Sequence, residues 1–217
     1  MPTGLVAMDE DCTGAPGARH FSRRELRCGP GARTLSAMST FTIHTAQSAP
    51  EGSREALGAL EQNIGFIPNL AGTIAGSPVA LAGFVAMQSA LRRSSLTPAE
   101  REIVGITVSR ENGSAYSMAA HSTFAERAGL ETDEIAALRD GGTLADPRHE
   151  ALHSFTAELL RSHGRVAADD LLAAGYSAEQ ALEVVTQVAY TTMANFAAGV
   201  ADTPVDAAFE AYAWAAA

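Results

Sequence analysis

The sequence of 217 residues contains no lysine, and all 15 basic residues are arginines. This absence excludes Schiff-base chemistry on a lysine, a Walker-type phosphate loop and a lysine general base. The only two cysteines, Cys12 and Cys28, lie close together near the N-terminus. A disulfide framework across a domain and a cysteine-based zinc site are therefore excluded.

Long hydrophobic runs are also missing. No apolar stretch approaches the ~20 residues of a membrane span, and no apolar stretch of a secretory signal follows the basic residues near the N-terminus. We therefore expect a cytoplasmic protein without a membrane partner. The net charge of −10 argues against a nucleic-acid partner, because phosphate contacts need a basic surface.

The chain divides by composition into a leader and a single domain. Residues 1–40 are rich in glycine, proline, serine and arginine and show little hydrophobic periodicity, so we expect a disordered leader. The domain is predicted to cover 41–217. Across the chain, 47% of residues are hydrophobic and 18% are charged, which is enough apolar surface for a core.

The domain is predicted to be a series of helices. A threonine or serine with a glutamate or glutamine three residues later predicts helix starts at Thr97 and Ser177, and Asp146 precedes a proline at another. We expect an all-α fold of about eight helices, because aromatic residues make up only 6% and no segment alternates with the period of a strand.

Two features mark the C-terminal part of the domain. A broad apolar stripe follows Ser177; it consists of Leu182, Val185, Ala189, Met193 and Phe196. Thr203 and Pro204 predict the start of a last helix carrying Phe209, Tyr212 and Trp214.

The segment from Thr97 to Leu130 carries the chemistry. Asn112 and Gly113 end one helix and Ser114 can cap the next, which gives a helical hairpin. Glu102 lies on the first arm and His121 on the second. Ser114, Ser117 and His121 are spaced i, i+3 and i+7, so they share one helix face.

This segment resembles the core of the AhpD and carboxymuconolactone decarboxylase superfamily. The peroxidase branch has a glutamate, eleven residues, Cys-x-x-Cys, three residues and a histidine, and the same spacing joins Glu102, Ser114, Ser117 and His121. The flanks agree too, at 65–70, 77–78, 112–113, 119–122, 128–130, 195 and 202–204. The resemblance implies an AhpD-like all-α fold, a small-molecule substrate, no cofactor, no metal, and a homo-oligomer, commonly a trimer or hexamer.

Both cysteine positions of the motif are serines. A serine hydroxyl is far less acidic than a thiol and forms no disulfide, so we expect no dithiol peroxidase activity. The favoured hypothesis is a diverged enzyme that uses Glu102 and His121 as an acid–base pair on a small organic carbonyl or lactone. Tyr116 could donate a hydrogen bond to the substrate. The candidate catalytic residues are Glu102, Ser114, Ser117 and His121, with Tyr116 as the candidate binding residue.

Three alternatives stay open. The first is an alkyl hydroperoxide reductase inactivated by Cys→Ser replacement at 114 and 117, whether natural or engineered. The second is a non-catalytic structural member of the family, with Glu102 and His121 as a retained ion pair. The third is serine catalysis by Ser117, His121 and Glu102, for which we find no nucleophile elbow.

A second motif, His149-Glu150-Ala151-Leu152-His153, matches the H-E-x-x-H pattern of zinc peptidases. A catalytic zinc needs a third protein ligand, and none is evident at a suitable spacing. We therefore expect His149 and His153 to be ordinary solvent-facing side chains at the start of a helix.

Overall fold

A computed structural model describes residues 40–215 of the chain, which form helices and connecting loops without a β-strand in that range. Nine α-helices lie within it: α1 Glu51–Ile64, α2 Asn69–Ile74, α3 Pro78–Leu91, α4 Pro98–Glu111, α5 Ala115–Arg127, α6 Thr132–Asp140, α7 Pro147–Arg161, α8 Asp169–Ala173 and α9 Ala178–Ala201. A 3-10 helix, Ala207–Tyr212, follows. The all-α prediction is confirmed. The predicted leader, with Cys12 and Cys28, lies outside the described residues.

Side-chain caps explain where most of the longer helices begin. Ser77, Thr97, Ser114, Asp146 and Ser177 each accept a hydrogen bond from a backbone N–H of the first turn. Such a bond satisfies one of the donors that a helix start leaves without a partner. The capping boxes predicted at Thr97 and Ser177 are both complete.

Helix α4 is the centre of the fold. Its middle is buried, with Ile103, Val104, Ile106 and Val108 fully inaccessible. It packs against α5, α7 and α9, so a side chain on α4 can be held by neighbours on several sides. A helix buried on several sides lacks a single strong apolar stripe. A polar side chain on α4, such as Glu102, can therefore lie between helices.

The larger side chains of the apolar stripe on α9 are exposed in the single chain. Leu182, Val185 and Phe196 are 70%, 44% and 59% exposed, and Val200 is 71% exposed. The buried face is instead mixed in polarity and consists of Val184, Gln187, Thr191, Ala194, Asn195, Ala198 and Ala201. Small and amide side chains pack closely against α4, which leaves the larger apolar side chains outside.

The predicted last helix is corrected. Residues 203–206 are not helical, and the 3-10 helix Ala207–Tyr212 ends before Trp214. The physical reason lies with Asp206, whose carboxylate accepts hydrogen bonds from the Asn69 backbone N–H and the Tyr116 hydroxyl. These bonds hold the segment extended against α2 and α5.

Within residues 40–215, no helix combines the length and apolar character needed to cross a membrane.

Candidate functional site

The structure brings Glu102 and His121 together. Glu102 lies in the second turn of α4 and His121 in the middle of α5, and the His121 Nδ1 lies 2.7 Å from the Glu102 Oε2. His121 is 8% exposed. A carboxylate on Nδ1 fixes the tautomer that carries its proton there, so Nε2 is left as the basic nitrogen. No described residue makes a hydrogen bond to Nε2.

Gly105 makes this contact possible. It lies one turn after Glu102 on α4, and the His121 ring packs flat against its backbone. A Cβ at position 105 would lie 2.5 Å from the His121 Nδ1 and 2.7 Å from the Cε1. Only glycine leaves room for the imidazole here. Sequence reasoning missed this residue, because a glycine inside a helix gives no sign of what packs on it.

A cavity of about 80 Å³ adjoins the pair. Its lining is mostly apolar and comes from α1 to α3, α5, α9 and the 3-10 helix; the residues are Leu60, Ile64, Pro68, Leu70, Ala71, Phe84, Gln88, Tyr116, Ser117, Ala120, His121, Phe124, Tyr190, Ala194 and Phe209. Sequence reasoning predicted only Tyr116, Ser117 and His121 of these. A small apolar cavity with a few polar groups is the usual form of a ligand site.

The two serines of the motif differ in their surroundings. Ser117 is 2% exposed, lines the cavity, and its Oγ is buried without a hydrogen-bond partner in the described part of the chain. Ser114 caps α5, because its Oγ accepts a bond from the Ser117 backbone N–H at 3.4 Å. It lines a separate pocket with Asn112 and Asn195. Ser117 therefore faces the same space as His121, while Ser114 has a structural task.

Tyr116 contributes its ring, but not a free hydroxyl, to the cavity. Its hydroxyl donates to the Asp206 Oδ2 at 2.5 Å and accepts from the Leu70 backbone N–H at 3.3 Å. Burial, together with the Asp206 carboxylate, raises the pKa of Tyr116 far above its usual value. The hydroxyl thus stays protonated and engaged, and it ties α5 to α2 and the C-terminal segment. The hydrogen bond to substrate expected of Tyr116 stays a prediction.

The H-E-x-x-H motif has another role. His149 Nδ1 lies 2.9 Å from the Glu134 Oε1, and His153 Nδ1 lies 2.8 Å from the Thr107 Oγ1. The expectation of two solvent-facing histidines was wrong, because both rings are partly buried and join α7 to α6 and α4. Burial lowers the pKa of His153. No group of three metal-binding side chains is present among residues 40–215.

Residues 78–148 match the carboxymuconolactone decarboxylase family. The matched region contains both arms of the hairpin with Glu102 and His121, and the solved structures described below share the fold. This part of the chain is therefore similar to the carboxymuconolactone decarboxylase family. No sequence among curated proteins matches it.

Solved structures with the same fold overlay most of the chain. An AhpD-core, peroxidase-related protein from Ralstonia eutropha JMP134 aligns with a TM-score of 0.71 and 21% identity over 81% of this chain and 96% of its own. A peroxidase-related protein from Silicibacter sp. TM1040 gives 0.68 and 19%, over 82% and 97%. A variant of the debrominase Bmp8 in complex with 2,3,4-tribromopyrrole gives 0.66 and 21%, over 80% and 97%. At these identities the likeness shows the fold alone.

Proposed function

We propose that this chain is an acid–base enzyme of the carboxymuconolactone decarboxylase superfamily. Its substrate is a small organic carbonyl compound or lactone, and it removes a proton from the carbon beside the carbonyl group. The observation that carries the proposal is the 2.7 Å contact of Glu102 with His121 beside a cavity that His121 itself lines. An ion pair with a purely structural role would not need a cavity beside it. The cavity therefore favours the hypothesis of a catalytic pair over that of a non-catalytic one.

The proposed reaction needs only groups of this chain. The carbon proton passes to the His121 Nε2, and the electron pair of the broken C–H bond moves onto the carbonyl oxygen as an enolate. Glu102 stabilises the imidazolium through Nδ1. The Ser117 hydroxyl, which has no partner of its own in the described residues, can donate to the enolate oxygen. Return of the proton to the same carbon gives exchange, and in an unsaturated substrate the dienolate can take it at a second carbon, which completes an isomerisation without a co-reactant.

Hydrogen–deuterium exchange at carbon tests this directly. Small ketones and lactones are incubated with the enzyme in D₂O, and loss of the α-proton is followed by ¹H NMR. We expect exchange above the buffer rate, falling roughly 10²–10⁴-fold in His121→Gln and in Glu102→Gln. Glu111→Gln, which removes another carboxylate of α4 remote from the cavity, is the control and should keep the rate. Equal rates in all four proteins would refute the proposal.

The peroxidase alternative rests on the spacing of the motif and is tested on the same preparation. Ser114→Cys/Ser117→Cys is assayed for peroxide turnover with a dithiol donor beside the unchanged chain. Turnover by the cysteine form alone would favour a peroxidase silenced by its two serines, since only a thiolate can attack the peroxide and be resolved as a disulfide. Turnover by the serine form would contradict the expectation that serine hydroxyls cannot replace the two thiols.

We further propose that the chain forms a homo-oligomer through the outer face of α9. The large apolar side chains there, Leu182, Val185, Phe196 and Val200, are exposed in the single chain. Helix α3 beside it carries no charged residue, and its Val79 is 83% exposed. A continuous apolar surface of this kind is typical of a protein interface.

A further inference from the structure

The lining of the cavity offers no charge partner to an anion. Its described residues include no arginine, aspartate or glutamate, and His121 is the only histidine among them. Since every basic residue of the chain other than histidine is an arginine, a buried carboxylate would have to be paired by His121 alone.

His121 already has a charge partner. Its Nδ1 is held by Glu102, so the two residues together are negative when the imidazole is neutral and uncharged when it is protonated. Arg92, at the end of α3, is exposed and is not among the lining residues. An unpaired charge in an apolar cavity costs several kcal/mol. The cavity therefore selects a neutral ligand.

The walls have the geometry of an aromatic pocket. Phe84 and Tyr190 stack with ring centroids 4.8 Å apart at 27°, and Phe209 meets Tyr116 and Phe124 edge-on. Flat walls and edges of this kind favour a flat, unsaturated ligand. The volume of about 80 Å³ lies well below the several hundred Å³ of sites for drug-sized ligands, which limits the ligand to about one ring.

Two hydroxyl groups of the lining can donate to a polar group of such a ring. The Ser117 Oγ has no partner, and the Tyr190 hydroxyl accepts from the Gln88 Nε2 at 3.4 Å, which leaves its own hydrogen without an acceptor in the described residues. Burial raises the pKa of Tyr190, so this hydroxyl remains a donor. Two donors beside a basic histidine suit a carbonyl oxygen with an acidic C–H next to it.

From these four features we propose that the ligand class is a neutral, unsaturated single-ring ketone or lactone without a carboxylate group. This inference rests on the proposed function and narrows it. Loss of carbon dioxide from a free carboxylate is then outside the reaction of this chain, and proton transfer beside the carbonyl is what remains.

The test compares two ring compounds of similar size, one neutral and one anionic. 2-Cyclohexenone and cyclohexene-1-carboxylate are titrated separately into the ¹⁵N-labelled chain and followed by NMR. We expect saturable shifts on α5 with cyclohexenone, and a Kd at least tenfold weaker for the carboxylate. Tighter binding of the carboxylate, or no binding of cyclohexenone, would overturn the inference. Tight carboxylate binding that Arg92→Ala abolishes would show that Arg92 serves as the charge partner, and this result would also overturn the inference.

Matched variants locate the binding. Ser117→Ala should weaken cyclohexenone about five- to tenfold, whereas Ser162→Ala should not, although the Ser162 Oγ is likewise buried without a partner. Gln88→Arg places a cation at the lining and should reverse the preference in favour of the carboxylate. A Ser117→Ala protein that binds cyclohexenone unchanged, or a Gln88→Arg protein with the original preference, would contradict the assigned site.

The two proposals fail in different ways. Cyclohexenone binding at α5 without His121-dependent exchange of its α-proton would sustain the ligand class and refute the acid–base function. His121-dependent exchange of acyclic or anionic compounds only would sustain the function and refute the ligand class.

Discussion

Gly105 and His121 form a contact in which one missing methyl group sets the position of a catalytic candidate. The imidazole occupies the space where any other residue at 105 would carry its Cβ. The ring is thereby fixed from two sides, by the α4 backbone and by the Glu102 carboxylate. Fixing a proton acceptor in this way contributes to catalysis because misplacement by about 1 Å can cost roughly 10²-fold in rate.

We predict that Gly105→Ala lowers the proposed proton-exchange rate by about 10²-fold. Alanine favours the helix by about 1 kcal/mol over glycine, but overpacking against His121 costs ~1–3 kcal/mol, so the free energy of unfolding should be unchanged or lower. Urea denaturation and the exchange assay measure the two effects. Gly58→Ala is the control, because nothing lies near its Cβ in α1.

The control should become more stable by about 0.5–1 kcal/mol and keep its activity. If Gly105→Ala behaves in the same way, the close packing of His121 on α4 is wrong.

The serines show how two equal residues acquire different tasks from their place on one helix. Ser114 stands at the N-cap of α5, where a serine satisfies a backbone donor. Ser117 stands one turn later with a buried, unpartnered hydroxyl, which is unfavourable unless a ligand or water supplies the partner. The stability of the fold therefore explains Ser114, whereas the proposed function supplies a partner for the Ser117 hydroxyl.

At the scale of elements, the start of α4 is held to α7 by an ion pair with one buried member. Glu100 is buried, and its carboxylate accepts from the Arg148 guanidinium at 2.9 Å and from the Thr97 backbone N–H at 2.7 Å. Arg148 also stacks on Tyr176, 3.9 Å from the ring centre. Burial raises the pKa of Glu100, but the hydrogen bonds outweigh it, so this pKa is lower than usual.

We predict that Arg148→Ala lowers the free energy of unfolding by about 2 kcal/mol at pH 7, a value between those of exposed and buried pairs. A carboxyl whose pKa is lowered by folding stabilises the protein when the pH is above 4.5, its pKa in the unfolded chain. This contribution is lost as the pH falls through the pKa in the folded protein. The difference between variant and parent should therefore shrink below about pH 4.5, as measured by urea denaturation across pH.

Arg161→Ala provides the comparison on the same helix. Arg161 binds Glu111, but its side chain is 58% exposed, so the loss should stay under about 1 kcal/mol. Equal losses in the two variants would show that the burial of Glu100 adds nothing.

How far the sequence predicts the fold depends on where the determining contacts lie. Caps at Thr97 and Ser177 are local, and they place the starts of α4 and α9 correctly. The motif spacing likewise brings Glu102 to His121, because both arms of a helical hairpin are local. The role of Asp206 depends on residues about 90 and 137 positions away, and no local pattern encodes it.

The same limit explains the cavity. Gln88 and Tyr190 come from α3 and α9, which meet only in the folded chain. Their polar groups look like ordinary helix residues in the sequence. The contact of Glu102 with His121 could thus be predicted, whereas the residues that line the cavity beside it could not.

At the scale of the whole molecule, the outer face of α9 is the feature that a single chain leaves unexplained. A helix normally turns its larger apolar side chains inward, but α9 buries Gln187, Thr191 and Asn195 and exposes Leu182 and Phe196. The inner face is fixed by close packing on α4. A second copy of the chain that packs against the outer face would bury these larger apolar side chains.

We predict that Leu182→Asp/Phe196→Asp weakens self-association by at least about a hundredfold, since each lost apolar contact is worth ~1.5 kcal/mol or more. Sedimentation velocity across a dilution series measures the shift toward monomer. Leu172→Asp, which alters an exposed apolar residue of α8, should leave the distribution unchanged. A parent chain that sediments as a monomer at every concentration would refute the proposed interface, and an equal shift in the α8 control would move it away from α9.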